Sequence, residues 1–469
     1  AHAAANGRDA HCTLCRYQLQ HATPFRVGVR SHLARQLPDC GCDMYASGQS
    51  SLQVRCGLGP RLTTLPRMGE DQLSILRRAV SAALLLTAAC SGPIVEVGDG
   101  GPSASATELV YVSTNTGPIH VYSLDTATGQ LSETSQIDGG VNPTYMAFSP
   151  DRKFAYVIDE ANPPDSKVLS FAIDPADGHL TPINSVETGA VGAPHLAVHP
   201  SGKWLVVAHY GRDADEWVGG QTVVIPIQED GSLAAPIGSS AGPADRLCVN
   251  AHQTVFSRRG DYLLVPCLGS DYVIQYRFDR GVLTLNDPPT ADVASGAGPR
   301  HIALSPDQRH AYLLTELAGT IVWFDFDKAA GLLSQQGTVQ AAKTPIGEGG
   351  EGWSGHILVH PNGRFLYVSN RQESPERGTE NSLGVFAIGR QGEPKPVLDA
   401  FVTEGVHTPR DFGIDPGGQY LLSVNQEGER GVLVYRVDAR TGRLTRTQFV
   451  PYTEQPAFVH VLGGLPIRR

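Results

Sequence analysis

The sequence predicts an all-β fold, a seven-bladed β-propeller of four-stranded blades, and three observations carry that prediction. First, one pattern recurs from Glu108 onward: an apolar strand, a tight turn, a second strand ending in polar residues, a Val/Tyr/Phe strand, a Gly-Xaa-Leu turn and a fourth strand. Second, the tight turns recur at about 50 residues, the period of a four-stranded blade. They are Ser149-Pro150-Asp151, His199-Pro200-Ser201, Ser257-Arg258-Arg259, Ser305-Pro306-Asp307, His360-Pro361-Asn362 and Asp415-Pro416-Gly417. Third, the two ends of the repeat complete each other. Tyr111-Val112-Ser113 and Ile119 to Ser123 read as middle strands without a first strand, and Pro456 to Val461 reads as a first strand without its blade. Joined, they make a seventh blade that closes the ring and removes its exposed edges.

The propeller is expected over residues 107–466 of the 469. Frequent glycine and proline, with β-branched and aromatic residues in short runs, suit a turn-rich β protein. The formal net charge of -10 gives no basic field to draw nucleic acid or an anionic membrane. Residues 1–67 are arginine-rich, contain no lysine and show no repeat, and read as an over-extended reading frame or a disordered leader. Cys12-Xaa-Xaa-Cys15 after His11 has half of a zinc spacing, but Cys40-Xaa-Cys42 does not supply the other half. Residues 68–90 read as an export signal: Arg77-Arg78, the apolar run Ala79 to Ala89, then Cys90-Ser91. Cys90 is the expected lipid-attachment residue, with free secretion as the alternative, and either places the protein in the cell envelope, the periplasm or the medium. Residues 91–106, rich in Gly, Pro and Ser, would be a flexible tether.

Aligned on their turns, the repeats gather a site. The innermost strand of each blade and the antiparallel strand after it share one end, so the start of the first and the end of the second face the same mouth of the channel. At the first position stand Tyr145, His195, His252-Gln253, Arg300-His301, His356 and Arg410-Asp411. At the second stand Asn115, Glu160, Tyr210, Leu268, Glu316, Arg371 and Gln426. Many such residues in propeller channels only bond neighbouring blades. Three guanidiniums, Arg300, Arg371 and Arg410, repel one another in a confined mouth unless an anion or Glu316 compensates them. With His252, they suit a ligand bearing carboxylate or phosphate. The arginines oppose a divalent cation, and Glu160 with Glu316 gives too few carboxylates for calcium, so no metal and no cofactor is expected. The inserted segments 211–220, 347–355 and 372–381 are placed over the same mouth.

At these residues the chain resembles the lactonase seven-bladed propeller family, which includes bacterial 6-phosphogluconolactonases and fungal carboxymuconate-lactonizing enzymes. The resemblance covers about Glu108 to Gly464. It is most specific at Gly296 to His301, Thr315-Glu316-Leu317, His360 to Arg371 and Thr408 to Phe412. It implies catalytic roles for His252, Arg300, Glu316 and Arg371. His195, Tyr210, His301, His356, Arg410 and Gln426 are the expected substrate-binding residues. The implied activity is hydrolysis of an anionic or sugar lactone by a monomer. Glu316 or His252 would activate water, Arg300 and Arg371 would hold the oxyanion, and His301 would protonate the leaving oxygen. Two alternatives stay open: a non-catalytic exported propeller that binds a ligand or protein at this mouth, and a muconate-lactonizing cycloisomerase. Whether Cys248 and Cys267 are bonded is also open.

Overall fold

Strand order within each repeat follows from where its apolar residues stand. Second strands read as unbroken apolar runs and are buried on both faces: Tyr262–Cys267, Phe365–Arg371 and Tyr420–Asn425 are buried throughout. Fourth strands alternate and lie outermost, as in Leu332–Gln340. The computed structural model describes residues 107–160, 166–211, 220–343, 353–371 and 381–463, plus the backbone of four short strands nearer the N-terminus. Those four, Arg16–Tyr17, Cys42–Ala46, Leu52–Cys56 and Thr63–Thr64, pair in sequence order into one sheet. The chain divides into two compact units, Ala1–Gly101 and Pro102–Arg469. The export segment, Cys90, the tether and most of the three inserted segments lie outside the described residues. Among the described residues no helix is long and apolar enough to cross a membrane.

The second unit is a seven-bladed propeller of four-stranded sheets, six of them paired in sequence order. We number blades from the first whose strands are contiguous in the chain. The innermost strands of blades 1 to 6 are Pro143–Phe148, His195–Val198, Val255–Phe256, Pro299–Leu304, Trp353–Val359 and Pro409–Ile414. Blade 7 takes its innermost strand, Pro456–Gly463, from the C-terminus and its other three, beginning with Thr107–Thr114, from the N-terminal side. The closing pair is antiparallel, with Val461 opposite Val110 and Val459 opposite Val112.

The core is a ring of apolar clusters, each filled from two adjacent blades. One joins Tyr156 and Ile158 of blade 1 to Leu205 and Val207 of blade 2, and another joins Tyr420 and Leu422 of blade 6 to Val110 and Val112 of blade 7. Second-strand tyrosines latch neighbouring blades together. Tyr111 donates to the Gly178 carbonyl (2.8 Å), Tyr312 to Gly392 (2.9 Å) and Tyr367 to Gly442 (2.8 Å), each acceptor lying on an outer turn of the following blade. The Ser-Pro-Asp turns fold as their residues dictate. Ser149 donates to Asp151 (2.7 Å) and Ser305 to Asp307 (2.7 Å). The next residue turns left-handed, at φ 60° for Arg152, 58° for Gln308 and 70° for Gly363 in the equivalent turn. Only glycine adopts that conformation without strain.

Candidate active site

Consecutive residues of a β-strand point to opposite faces, so a row of paired polar residues such as Arg300-His301 cannot all face a channel on a regular strand. A bulge at the start of the inner strands removes this limit. The pairing register slips between Pro143 and Tyr145, Pro299 and His301, Ser354 and Ile357, Pro409 and Asp411, and Pro456 and Phe458. The extra residue bends the strand and re-aims its side chains. Thr144 with Tyr145, Arg300 with His301, and Arg410 with Asp411 therefore all line one narrow cavity, together with His252, Pro194 and Ala457.

The histidines meet across the channel. The ring of His301 stands 5.2 Å from His252, 4.9 Å from His356 and 5.9 Å from His195, centre to centre. Tyr210 presents its ring to His252 at 5.8 Å. His195 packs on Tyr145 at 4.2 Å, and its Nδ1 lies 3.3 Å from the Thr254 hydroxyl. Burial drives all four imidazoles toward the neutral form: His195, His252 and His301 well below the ordinary histidine value, and His356 down to about 3. Nearby arginines add to the shift. His252 Nδ1 is buried with no hydrogen-bond partner among the described residues.

Arginines and carboxyls form the other wall. Arg300 Nε stands 2.6 Å from Glu316 Oε2, an ionic contact off line for a hydrogen bond, so charge attraction holds the pair. Arg371 Nη2 lies 3.4 Å from the other Glu316 oxygen, and its guanidinium also donates to the Trp353 and Ser354 carbonyls. Arg300 Nη1 donates to the Gly355 carbonyl at 2.5 Å. Gly355 has no room for a side chain: a Cβ there would stand 2.5 Å from the Ser369 hydroxyl oxygen and 2.9 Å from the Arg410 carbonyl oxygen. Burial, with Arg371 nearby, lowers Arg300 to about 9. The mouth thus holds three arginines against three carboxyl residues, Glu316, Asp411 and Glu160, the last beside Arg410 and the Thr144 hydroxyl. Burial raises Asp411 to about 7, against the pull of Arg300 and Arg410.

The structure brings together His195, Tyr210, His252, Arg300, His301, Glu316, His356, Arg371 and Arg410. Of these, His252, Arg300, His301 and Arg410 line the cavity itself, and the others stand around them; Gln426 is buried, with its backbone N–H on the Thr408 carbonyl at 3.1 Å. Glu316, pinned between two guanidiniums, is a weaker candidate for a base than His252. Asp411, the neighbour of Arg410 at the same inner-strand start, is a further residue of this cavity beyond the catalytic and binding residues expected from the sequence. The Pro-Xaa-Xaa opening shared by four inner strands is the signal of the bulge that overrides strand alternation. Among the described residues, no group of three or more His, Cys, Asp or Glu is placed to hold a metal ion.

His252 is held by unusual means. The inner strand of blade 3 has only two residues, Val255–Phe256, and begins beyond it. Cys248 is disulfide-bonded to Cys267 on the adjacent strand. Between them the His252 N–H donates to Pro266 O (3.0 Å) and Leu268 N–H to Asn250 O (2.9 Å). The covalent link thus stands where ladder pairing stops. Replacing both cysteines with serine is expected to cost about 3 kcal/mol, read as a lower denaturation midpoint in a urea titration.

Comparison with known proteins agrees with this architecture. Residues 109–461 match the family model described as "Lactonase, 7-bladed beta-propeller". The 6-phosphogluconolactonase of Bacillus subtilis is 31% identical over 350 residues, covering 73% of this chain and 94% of that protein. That of Pectobacterium atrosepticum is 32% identical over 364 residues, covering 76% and 99%. Among solved structures, a periplasmic gluconolactonase of Pseudomonas aeruginosa superposes with a TM-score of 0.68 at 28% identity, covering 77% of this chain and 100% of that one. The chain belongs to the seven-bladed β-propeller lactonase family.

Proposed function

We propose that the polar mouth of the channel hydrolyses the ester bond of an anionic or sugar lactone. The observation that carries the reading is the unpartnered Nδ1 of His252, a residue that lines a cavity walled in part by Arg300 and Arg410. A neutral imidazole beside arginines can take a proton from water while the guanidiniums receive the negative charge that develops on the carbonyl oxygen. Arg300 and Arg371 are the oxyanion donors in this reading. Arg410 holds a carboxylate, phosphate or sugar hydroxyl of the substrate, and His195, Tyr210 and His356 shape the wall. Family relatives named 6-phosphogluconolactonase support a sugar-acid lactone.

We also propose that the protein works outside the cytoplasm. A disulfide in the propeller suits an oxidising compartment. The apolar run before Cys90 and the periplasmic gluconolactonase among the structural relatives point the same way.

Purified protein incubated with phosphorylated, carboxylated and plain sugar lactones tests the function. Saturable hydrolysis is expected, with Arg371→Ala lowering kcat/KM by about 10²-fold or more. A folded protein that hydrolyses none of them would instead be a binding propeller.

A further inference from the structure

The hydrogen bonds around His301 fix where its protons sit. A guanidinium N–H can only donate, so Arg300 Nη1, 3.3 Å from His301 Nε2, leaves that nitrogen as the acceptor. The neutral His301 ring therefore carries its proton on Nδ1. That Nδ1 lies 2.7 Å from His356 Nδ1, to which it donates. The His356 Nδ1 lone pair is thereby used, and the proton of His356 sits on Nε2. Asp411 Oδ1 stands 3.5 Å from this same His356 Nδ1 and has no hydrogen-bond partner among the described residues. It faces a bare nitrogen, which offers an ionised carboxylate nothing and repels it. The other oxygen, Oδ2, accepts from the Val459 N–H of blade 7 at 3.1 Å, the Phe412 N–H also lies against the carboxyl, and Asp411 lines the cavity.

The geometry points to Asp411 as the catalytic acid, a protonated carboxyl that gives its hydrogen to the ring oxygen as the lactone opens. The inference rests on the lactonase reading above. Water attacks the carbonyl carbon as His252 takes one of its protons. The tetrahedral adduct collapses, the bond from carbonyl carbon to ring oxygen breaks, and the Asp411 proton completes the new hydroxyl. The carboxylic acid product ionises and His252 releases its proton. Asp411 recovers one of these two protons, and one passes to solvent. Arg300 and Arg410, His356 and the Tyr145 ring surround the group, and burial outweighs the Val459 and Phe412 N–H groups and the two cations, holding the carboxyl at about 7. His301 and His356, by contrast, are positioning residues, since their shared proton leaves Asp411 Oδ1 facing a nitrogen that has no hydrogen to give.

Leaving-group chemistry tests the assignment. The Asp411→Asn variant keeps an acceptor for the Val459 N–H but cannot supply a proton. Hydrolysis of glucono-δ-lactone, whose alkoxide leaving group needs a proton, should fall about 10²-fold or more in kcat. Hydrolysis of dihydrocoumarin, which leaves as a phenolate, should fall less than about five-fold. Wild-type protein gives a second reading that needs no variant: with the spontaneous rate subtracted, kcat on the sugar lactone should decline as pH rises through about 7, and kcat on the aryl lactone should not. Equal losses on both lactones in Asp411→Asn, or the same pH profile for both in the wild type, would overturn the assignment. Wild-type protein that hydrolyses neither lactone would fail the lactonase reading itself, a distinct result.

Discussion

A chain ending at Gln455 should not fold into the propeller. Removing Pro456–Gly463 takes away the innermost strand of blade 7 and leaves Thr107–Thr114 as a bare edge along the channel. Phe458, Val459, Val461 and Leu462 are each at most 5% exposed, and burying each contributes about 1.5–3 kcal/mol. Their loss alone is roughly 6–12 kcal/mol, comparable to the 5–15 kcal/mol that holds a typical domain together. The damage falls on two blade junctions at once. Phe458 fills the cluster shared with blade 1, and Val459 and Val461 fill the one shared with blade 6. The Val459 N–H bonded to Asp411 is lost as well. Near-UV circular dichroism of the truncated chain should show no cooperative melt, and a peptide spanning 456–463 added in trans should restore part of it. A truncated chain melting within a few degrees of the full one would mean that ring closure is not what stabilises the fold.

That strand also shows what could be read from the sequence. A first strand without a blade at one end and a blade without a first strand at the other are both visible as pattern, and only one closure satisfies both. The mouth was legible for a similar reason. Strand polarity fixes which ends share a face, so aligning turns was enough to collect His252, Arg300, Glu316 and Arg371. What alternation conceals is the direction of a side chain at a bulge. Arg410 and Asp411 are neighbours that a regular strand sends to opposite faces, and the slipped register after Pro409 brings both to the cavity. The tautomer chain from Arg300 through His301 to His356 was also illegible, because it depends on a 2.7 Å contact between residues 55 positions apart. The Cys248–Cys267 bond stayed open because pairing is a matter of distance in space, and two cysteines in one blade only permit it.

Acid should unfold this protein steeply once pH falls below the ordinary histidine range. His195, His209, His252, His301 and His356 are all buried, and burial is the first cause of each downward shift, which brings His209 to about 4 and His356 to about 3. A histidine lowered in the folded state binds its proton first in the unfolded chain. Its contribution to stability is therefore complete above about pH 6.5 and drains away as pH falls toward the folded value. Carboxyls raised by burial work in the opposite sense. Asp411 and Glu108, both at about 7, are protonated in the folded state while the unfolded chain still holds them ionised, and Glu160 and Asp415 are shifted the same way. Near pH 5 the five imidazoles, joined by His460, which burial lowers to about 4, outweigh these carboxyls, leaving the unfolded chain roughly three protons ahead. The linkage slope is then about 3–4 kcal/mol per pH unit. At that slope a domain of ordinary stability is exhausted within a few pH units of neutrality. Urea titrations at half-unit steps from pH 7.5 to 4.5 measure it directly. His356→Gln, which cannot take up a proton, should flatten the slope by up to one proton. A denaturation midpoint constant across that range would mean that these imidazoles are solvated well enough to charge in place.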